Sequence, residues 1–239
     1  VNVEVAAERF VALVGPSGCG KSTTLSLIAG LDRPTSGTVT VRGKPVTGIG
    51  DGVGFLFQRD ALLPWKTVRD NVRLPLQLRG VEAAEARSRV GEWIGRVGLR
   101  GFESAFPYQL SGGMRKRVAL AQTLVYDPEI LLMDEPFSAL DVQTRNLMEG
   151  ELLALWQGSG KTVIFVTHDL EEAIALADEV VVMTAGPASV KARYDVTLPR
   201  PRDIEQARFD PRFTELYSKT WNDLRDEVLE SYARANAAG

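Results

Sequence analysis

The 239-residue chain has one cysteine, Cys19, so no disulfide can form within it, and the usage fits a reducing cytosolic compartment. No apolar run approaches the roughly 18 residues that a bilayer-crossing helix needs. Basic residues are not in excess: 28 Lys and Arg stand against 31 Asp and Glu, net charge −3, which leaves no footprint for nucleic acid. No signal peptide, internal repeat or low-complexity segment is apparent. The chain opens VNVEVAAERF, without Met and already in strand-like alternation, and reads as a fragment whose first strands are missing. What remains is an ordinary globular composition, 44% hydrophobic and 25% charged, with enough apolar residues for a sizeable core.

Continuous Val/Ile/Leu runs predict buried strands at Arg9–Gly15, Gly52–Gln58, Glu129–Pro136, Lys161–Asp169 and Glu179–Gly186. Thr35–Val46 alternates like a hairpin. Helical spacing is predicted over Lys21–Ala29, Val142–Trp156, Leu170–Ala177 and the stretch Thr67–Tyr126, with Val81–Gly98 clearly amphipathic. Strands alternating with helices predict an α/β fold, a parallel sheet covered on both faces. Arg59–Pro128 lacks a comparable strand and reads as a helical insertion. Leu198–Asp203 is a Pro-rich joint before a helical tail.

GPSGCGKST, Gly15–Thr23, fits the G-x-x-x-x-G-K-[ST] phosphate loop between a strand and a helix. Gly15, Pro16, Ser17, Gly18, Cys19, Gly20, Lys21, Ser22 and Thr23 form the expected nucleotide-binding loop. Its backbone N–H groups cradle phosphate, Lys21 reaches the β/γ-phosphates, and the Ser22 hydroxyl ligates Mg²⁺. Cys19 reads as a small residue that fits the turn. Asp134 and Glu135 end a strand, where an α/β sheet presents ligands. There Asp134 can hold Mg²⁺ partly through water, and Glu135 can activate the attacking water; alone such a pair more commonly starts a helix, and it is the phosphate loop beside it that gives it this meaning. His168 and Gln58 also end strands. Gln58 could reach Mg²⁺ or water and His168 the γ-phosphate or water, although position alone equally suits surface residues. LSGGMRKRVALAQ, Leu110–Gln122, offers a second anion site at a helix N-terminus, without a lysine in its turn. The basic run Arg115–Arg117 reads as a solvated helix face.

These motifs together resemble the ATP-binding cassette (ABC) family over essentially the whole chain: GPSGCGKST its phosphate loop, Gln58 its Q-loop, LSGGM its signature, ILLMDEP its Walker B strand, SALD its D-loop and His168 its switch histidine. The resemblance implies a P-loop NTPase with a RecA-like core over 1–58 and 129–197, a helical signature subdomain over 59–128 and a helical tail over 198–239. It implies ATP and Mg²⁺ as cofactors. It also implies a head-to-tail pairing with a second copy, in which Ser111, Gly112 and Gly113 close on the partner's ATP and Asp141 communicates between subunits. Met114 stands where the family's signature usually has Gln, and ATPase activity is expected to survive this. The family's adenine-stacking aromatic residue, in a loop ahead of the phosphate loop, has no counterpart here; Phe10 lies in the strand itself.

RDALLPWKTVRDNV, Arg59–Val72, and the tail are similar to ATPase subunits of nitrate/sulfonate/taurine-type importers. That similarity implies membrane permeases docking on the Gln58–Val72 region, a periplasmic binding protein acting indirectly, no nucleic acid, and a peripheral position on the cytoplasmic face of the bacterial inner membrane. Non-transport cassettes of translation or DNA repair are the alternative class, disfavoured by the single cassette and the lack of a coiled-coil insert.

Overall fold

The structure is a computed structural model that describes residues 1–186 and 188–237. In chain order its elements are β1 (Phe10–Val14), α1 (Lys21–Ala29), β2 (Thr40–Val41), β3 (Lys44–Pro45), β4 (Val53–Leu56), α2 (Val68–Leu78), α3 (Ala83–Arg96) and α4 (Gly112–Leu124). They continue with β5 (Ile130–Asp134), α5 (Val142–Trp156), β6 (Thr162–Val166), α6 (Leu170–Leu176), β7 (Glu179–Met183), β8 (Val190–Asp195), α7 (Ile204–Ala207) and α8 (Pro211–Ala237). The expected tail helix is thus present, and residues 238–239 lie outside the described residues.

Six strands form one sheet in the order β4-β5-β6-β1-β7-β8. All pairs are parallel except β7 with β8. The parallel strands are nearly all apolar because both sheet faces are covered. Along β1, Phe10, Ala12 and Val14 enter a core shared with α5, α6 and α8, while Val11 and Leu13 enter a second core with Leu25 and Ala29 of α1. Phe10 is fully buried against Trp156 and Phe165, so it does not serve as an adenine platform.

The segment between β4 and β5 has a core of its own. Val68, Val72 and Leu76 of α2 recur every four residues, as do Ala86, Val90 and Ile94 of α3; Val118, Ala121 and Val125 from α4 and its C-cap complete the cluster. That spacing puts each set on one helix face.

Three details differ from the sequence reading. The hairpin of Thr35–Val46 shrinks to the two-residue strands β2 and β3. Strand β8 was not anticipated: it is an antiparallel edge strand whose exposed Lys191, Arg193 and Asp195 alternate with half-buried Val190, Ala192 and Tyr194. Finally, Arg115–Arg117 is not a solvated face. Lys116 is only 4% exposed, because residues 113, 116 and 120 share the face of α4 that turns inward.

Candidate active site

Four neighbouring parallel strands deliver the candidate site. β4, β5, β6 and β1 lie side by side, and their registers pair Leu56 with Met133, Asp134 with Val166, and Leu13 with Val166. Their carboxyl ends are therefore nearly level. Gln58 follows β4, Asp134 closes β5 with Glu135 next, His168 follows β6, and Gly15–Thr23 follows β1. Residues from Gly15 to His168 of the chain thus converge on one edge, the edge where α/β sheets bind ligands.

The loop after β1 is shaped by its glycines. Gly18 and Gly20 have φ of 76° and 105°, the left-handed region that glycine adopts without strain. A Cβ on Gly15 would sit 3.0 Å from Cys19 Sγ and 3.1 Å from the Met183 carbonyl oxygen, so only glycine fits there comfortably. Helices α2 to α7 each have a side chain accepting hydrogen bonds from their first turn. Helix α1 does not: its N-cap is Gly20, with no side-chain cap. Its first N–H groups and its positive dipole end are left for an outside anion. Lys21 is buried, and its Nζ donates to the carbonyls of Gly15 and Pro16, each at 2.8 Å. Its ammonium is thereby held within the turn that would wrap a phosphate. Ser17, Gly18, Ser22 and Thr23 are accessible at this edge, whereas Pro16 and Cys19 are buried beneath it. Uncapped helix, permissive glycines and a held ammonium together fit a nucleotide's phosphates.

Ser22 Oγ donates to Asp134 Oδ1 at 2.9 Å. Burial raises the Asp134 carboxyl above its ordinary value, the Ser22 hydrogen bond and Lys21 pulling it down and Glu135 pushing it up. A partly desolvated carboxylate beside a hydroxyl is a hard-oxygen donor set that suits Mg²⁺. Among the described residues, no group of three or more His, Cys, Asp or Glu could enclose a metal. The set thus offers two protein oxygens, Ser22 Oγ and an Asp134 carboxylate oxygen, to such an ion.

Glu135 joins the other two strand ends. Its Oε2 accepts from Gln58 Nε2 at 3.1 Å and stands 3.2 Å from His168 Nδ1. Its backbone is in the left-handed region at φ 43°, uncommon for a residue with a side chain. The turn is held by the Glu135 N–H donating to the Val166 carbonyl at 2.9 Å and by Ser138 Oγ donating to the Glu135 carbonyl at 3.0 Å.

The second glycine turn is built differently. Ser111 caps α4, its Oγ accepting from the Met114 N–H at 3.2 Å. Among the described residues, Ser111 bonds only within its own helix and shares no hydrogen bond with Lys21, Ser22, Asp134 or Glu135. Ser111 is exposed, Gly112 half-buried and Gly113 buried, where a Cβ would fall 2.7 Å from Thr144 Cγ2. Asp141 in turn caps α5, accepting from the Thr144 N–H at 3.0 Å and the Thr144 hydroxyl at 2.7 Å. Those two bonds hold its carboxyl below the usual range. The Met114 side chain packs into the helical core, so only its N–H serves the turn.

Between Gln58 and α2, Trp65 is 70% exposed, while Leu62 and Leu63 are half-buried and Leu62 packs on both neighbouring cores. The sequence reading missed what holds this loop: fully buried Asn71 donates to the carbonyls of Leu63, Lys66 and Thr67 and accepts from the Leu63 N–H.

Residues 1–138 match the family described as ABC transporter. An uncharacterized ABC transporter ATP-binding protein of Methanocaldococcus jannaschii is 52% identical over 231 residues, covering 97% of this chain and 85% of that protein. The taurine import ATP-binding protein TauB of Yersinia pestis is 46% identical over 196 residues, covering 82% of this chain and 77% of that one. Among solved structures, a dimeric ATP-binding cassette in a post-hydrolysis state bound to ADP and Pi aligns with a TM-score of 0.72 and 33% identity, over 83% of this chain and 90% of that chain.

Proposed function

This chain belongs to the ABC transporter family as an ATP-hydrolysing ATP-binding subunit, and we propose that it powers an importer of small anions of the nitrate, sulfonate or taurine kind. The carrying observation is the junction of Gln58, Glu135 and His168 beside the Ser22–Asp134 pair and the phosphate loop.

When bound, ATP supplies the γ-phosphoryl group and Mg²⁺ neutralises charge on its oxygens. In our reading, the N–H groups of Gly15–Thr23 hold the phosphates, and Lys21 supplies positive charge at the β- and γ-positions. Ser22, Asp134 and Gln58 hold Mg²⁺, partly through water. Glu135 takes a proton from the attacking water. Since Glu135 Oε2 already meets Gln58 and His168, its Oε1 is the atom left for that proton. His168 and Gln58 orient the water and the γ-phosphate.

A second copy completes the site. Ser111 and the N–H groups of Gly112 and Gly113 close on the γ-phosphate of the opposite subunit, and Asp141 links the subunits. The exposed position of Ser111 at the N-terminus of α4 supports a role in trans. Residues 59–128 act as the helical subdomain, and Gln58–Val72, with exposed Trp65, as the docking face for a permease. The protein then sits peripherally on the cytoplasmic face of the bacterial inner membrane, a periplasmic binding protein delivering cargo from the other side. Taurine import by the named relatives supports the anion class.

Reconstitution with the neighbouring permease in proteoliposomes tests this. Mg²⁺-dependent ATP turnover that rises with permease, and taurine or sulfonate uptake that needs ATP, are expected. Turnover that is absent with and without permease overturns the ATPase reading; turnover without uptake of these anions overturns the cargo class.

A further inference from the structure

We propose that Lys116 is a positioning residue that clamps the main chain of Gln58 to the first turns of α4, keeping the Gln58 amide on Glu135. This rests on the catalytic reading of Gln58 and Glu135 given above.

The geometry is specific. Lys116 lies on the inward face of α4, where an apolar side chain would ordinarily fill the space. Its Nζ instead donates to the Gln58 carbonyl at 2.6 Å. The same ammonium stands 2.9 Å from Asp60 Oδ1, an ion-pair distance off the direction of a hydrogen bond. Asp60 Oδ2 faces Arg115 Nε at 3.3 Å, and Arg115 Nη1 donates to the Leu110 carbonyl at 2.7 Å. One carboxylate thus gathers two cations. One cation reaches the main chain at Gln58, and the other reaches the residue immediately before Ser111.

A buried ammonium is tolerated only where charge and hydrogen bonds compensate for lost water. Here the compensation comes from the loop that carries the Gln58 side chain. That loop is exposed at Phe57, Gln58 and Arg59, so the clasp is its attachment to the helical body at this point. Without it, Gln58 keeps its chemistry but loses its fixed origin, and small displacements of positioning groups are costly to a reaction.

The test is a double-mutant cycle on ATP turnover with Lys116→Met, which keeps the stem and removes the donors, and Gln58→Ala. Lys116→Met is expected to lower kcat about tenfold or more with little change in KM for ATP. In the Gln58→Ala background the same change should cost almost nothing, because Lys116 acts through Gln58. Lys116→Arg, which restores donor and charge, should recover part of the rate. Losses that multiply independently overturn the proposal, since a merely structural role would give that result. If Lys116→Met does not fold, Asp60→Asn takes its place in the cycle and is judged identically. Amide hydrogen exchange gives a readout independent of turnover. Residues 57–61 should exchange faster in the folded variant while β5 and β6 stay protected, and unchanged exchange overturns the clasp. A parent chain without turnover would sink the catalytic reading of Gln58 while leaving the exchange result to judge the clasp.

Discussion

Gln58 Nε2 and Glu135 Oε2 meet at 3.1 Å although 77 positions separate them in the chain. Each follows the end of a strand, and those strands, β4 and β5, are sheet neighbours. An amide N–H aimed at one carboxylate oxygen fixes the orientation of the other oxygen. That is the condition a general base needs before substrate arrives.

Replacing Glu135 by Gln removes the proposed base and keeps the shape. ATP turnover should fall by about 10²–10⁴-fold while ATP binding persists. Size exclusion with ATP should show a shift toward dimer. Turnover close to the parent's would reject Glu135 as the base.

Lys21→Ala should lower nucleotide affinity by more than about tenfold, because a buried, held ammonium contributes charge-assisted bonds that nothing else in the loop supplies. Titration with a fluorescent ATP analogue reads this directly. Unchanged affinity would move the nucleotide site elsewhere.

Ser111→Arg should leave ATP binding to the single subunit intact and abolish turnover, by wedging the face that meets a second copy. Mixed with Lys21→Ala subunits, it should recover activity above either variant alone, since one of the two composite sites then carries neither change. Loss of ATP binding in the isolated Ser111→Arg subunit would instead assign Ser111 to its own chain's pocket.

Glu149 of α5 and Glu172 of α6 form a buried acidic pair. Burial pushes Glu172 up to about 8 and Glu149 up to about 7, from an ordinary 4.5. Thr167 bonds Glu172, and Arg145, Arg208, Asp169 and Glu171 surround the pair. The folded chain keeps protons that the unfolded chain releases, so these groups make stability fall as pH rises from about 4.5 to about 8. Glu172→Gln should flatten that decline, raising Tm at pH 8 by about 2–4 °C relative to the parent. A Tm profile over pH 5–8 as steep as the parent's would contradict it.

The sheet and the phosphate loop were legible because both leave local marks: unbroken apolar runs where both faces are covered, and a glycine pattern between strand and helix. Strand β8 escaped because VKARYD has charge at every second position, which an edge strand tolerates and a buried one does not. The role of Lys116 was hidden by its neighbours. Arg115, Lys116 and Arg117 look alike in a row, yet a helix turns each by 100° and only the middle one faces inward. The spacing of Gly113, Lys116 and Leu120 carried that signal. Convergence of Gln58, Glu135 and His168 was not legible, since it depends on strand order, which no local pattern encodes.

Because β4 and β5 are adjacent and parallel, everything from Phe57 to Glu129 is formally a single crossover connection. A parallel pair needs only a dozen or so residues to make that journey. Here the journey contains a body with its own core, joined to the sheet by two covalent threads that belong to the same strand pair and by Ala119, Leu120 and Leu124 of α4, which pack into the core against the sheet. A tilt of that body would part no ladder hydrogen bond of the sheet, and its cost would fall on the packing of α4. The outgoing thread carries Gln58, so any tilt is felt first at the Glu135 carboxylate that Gln58 holds.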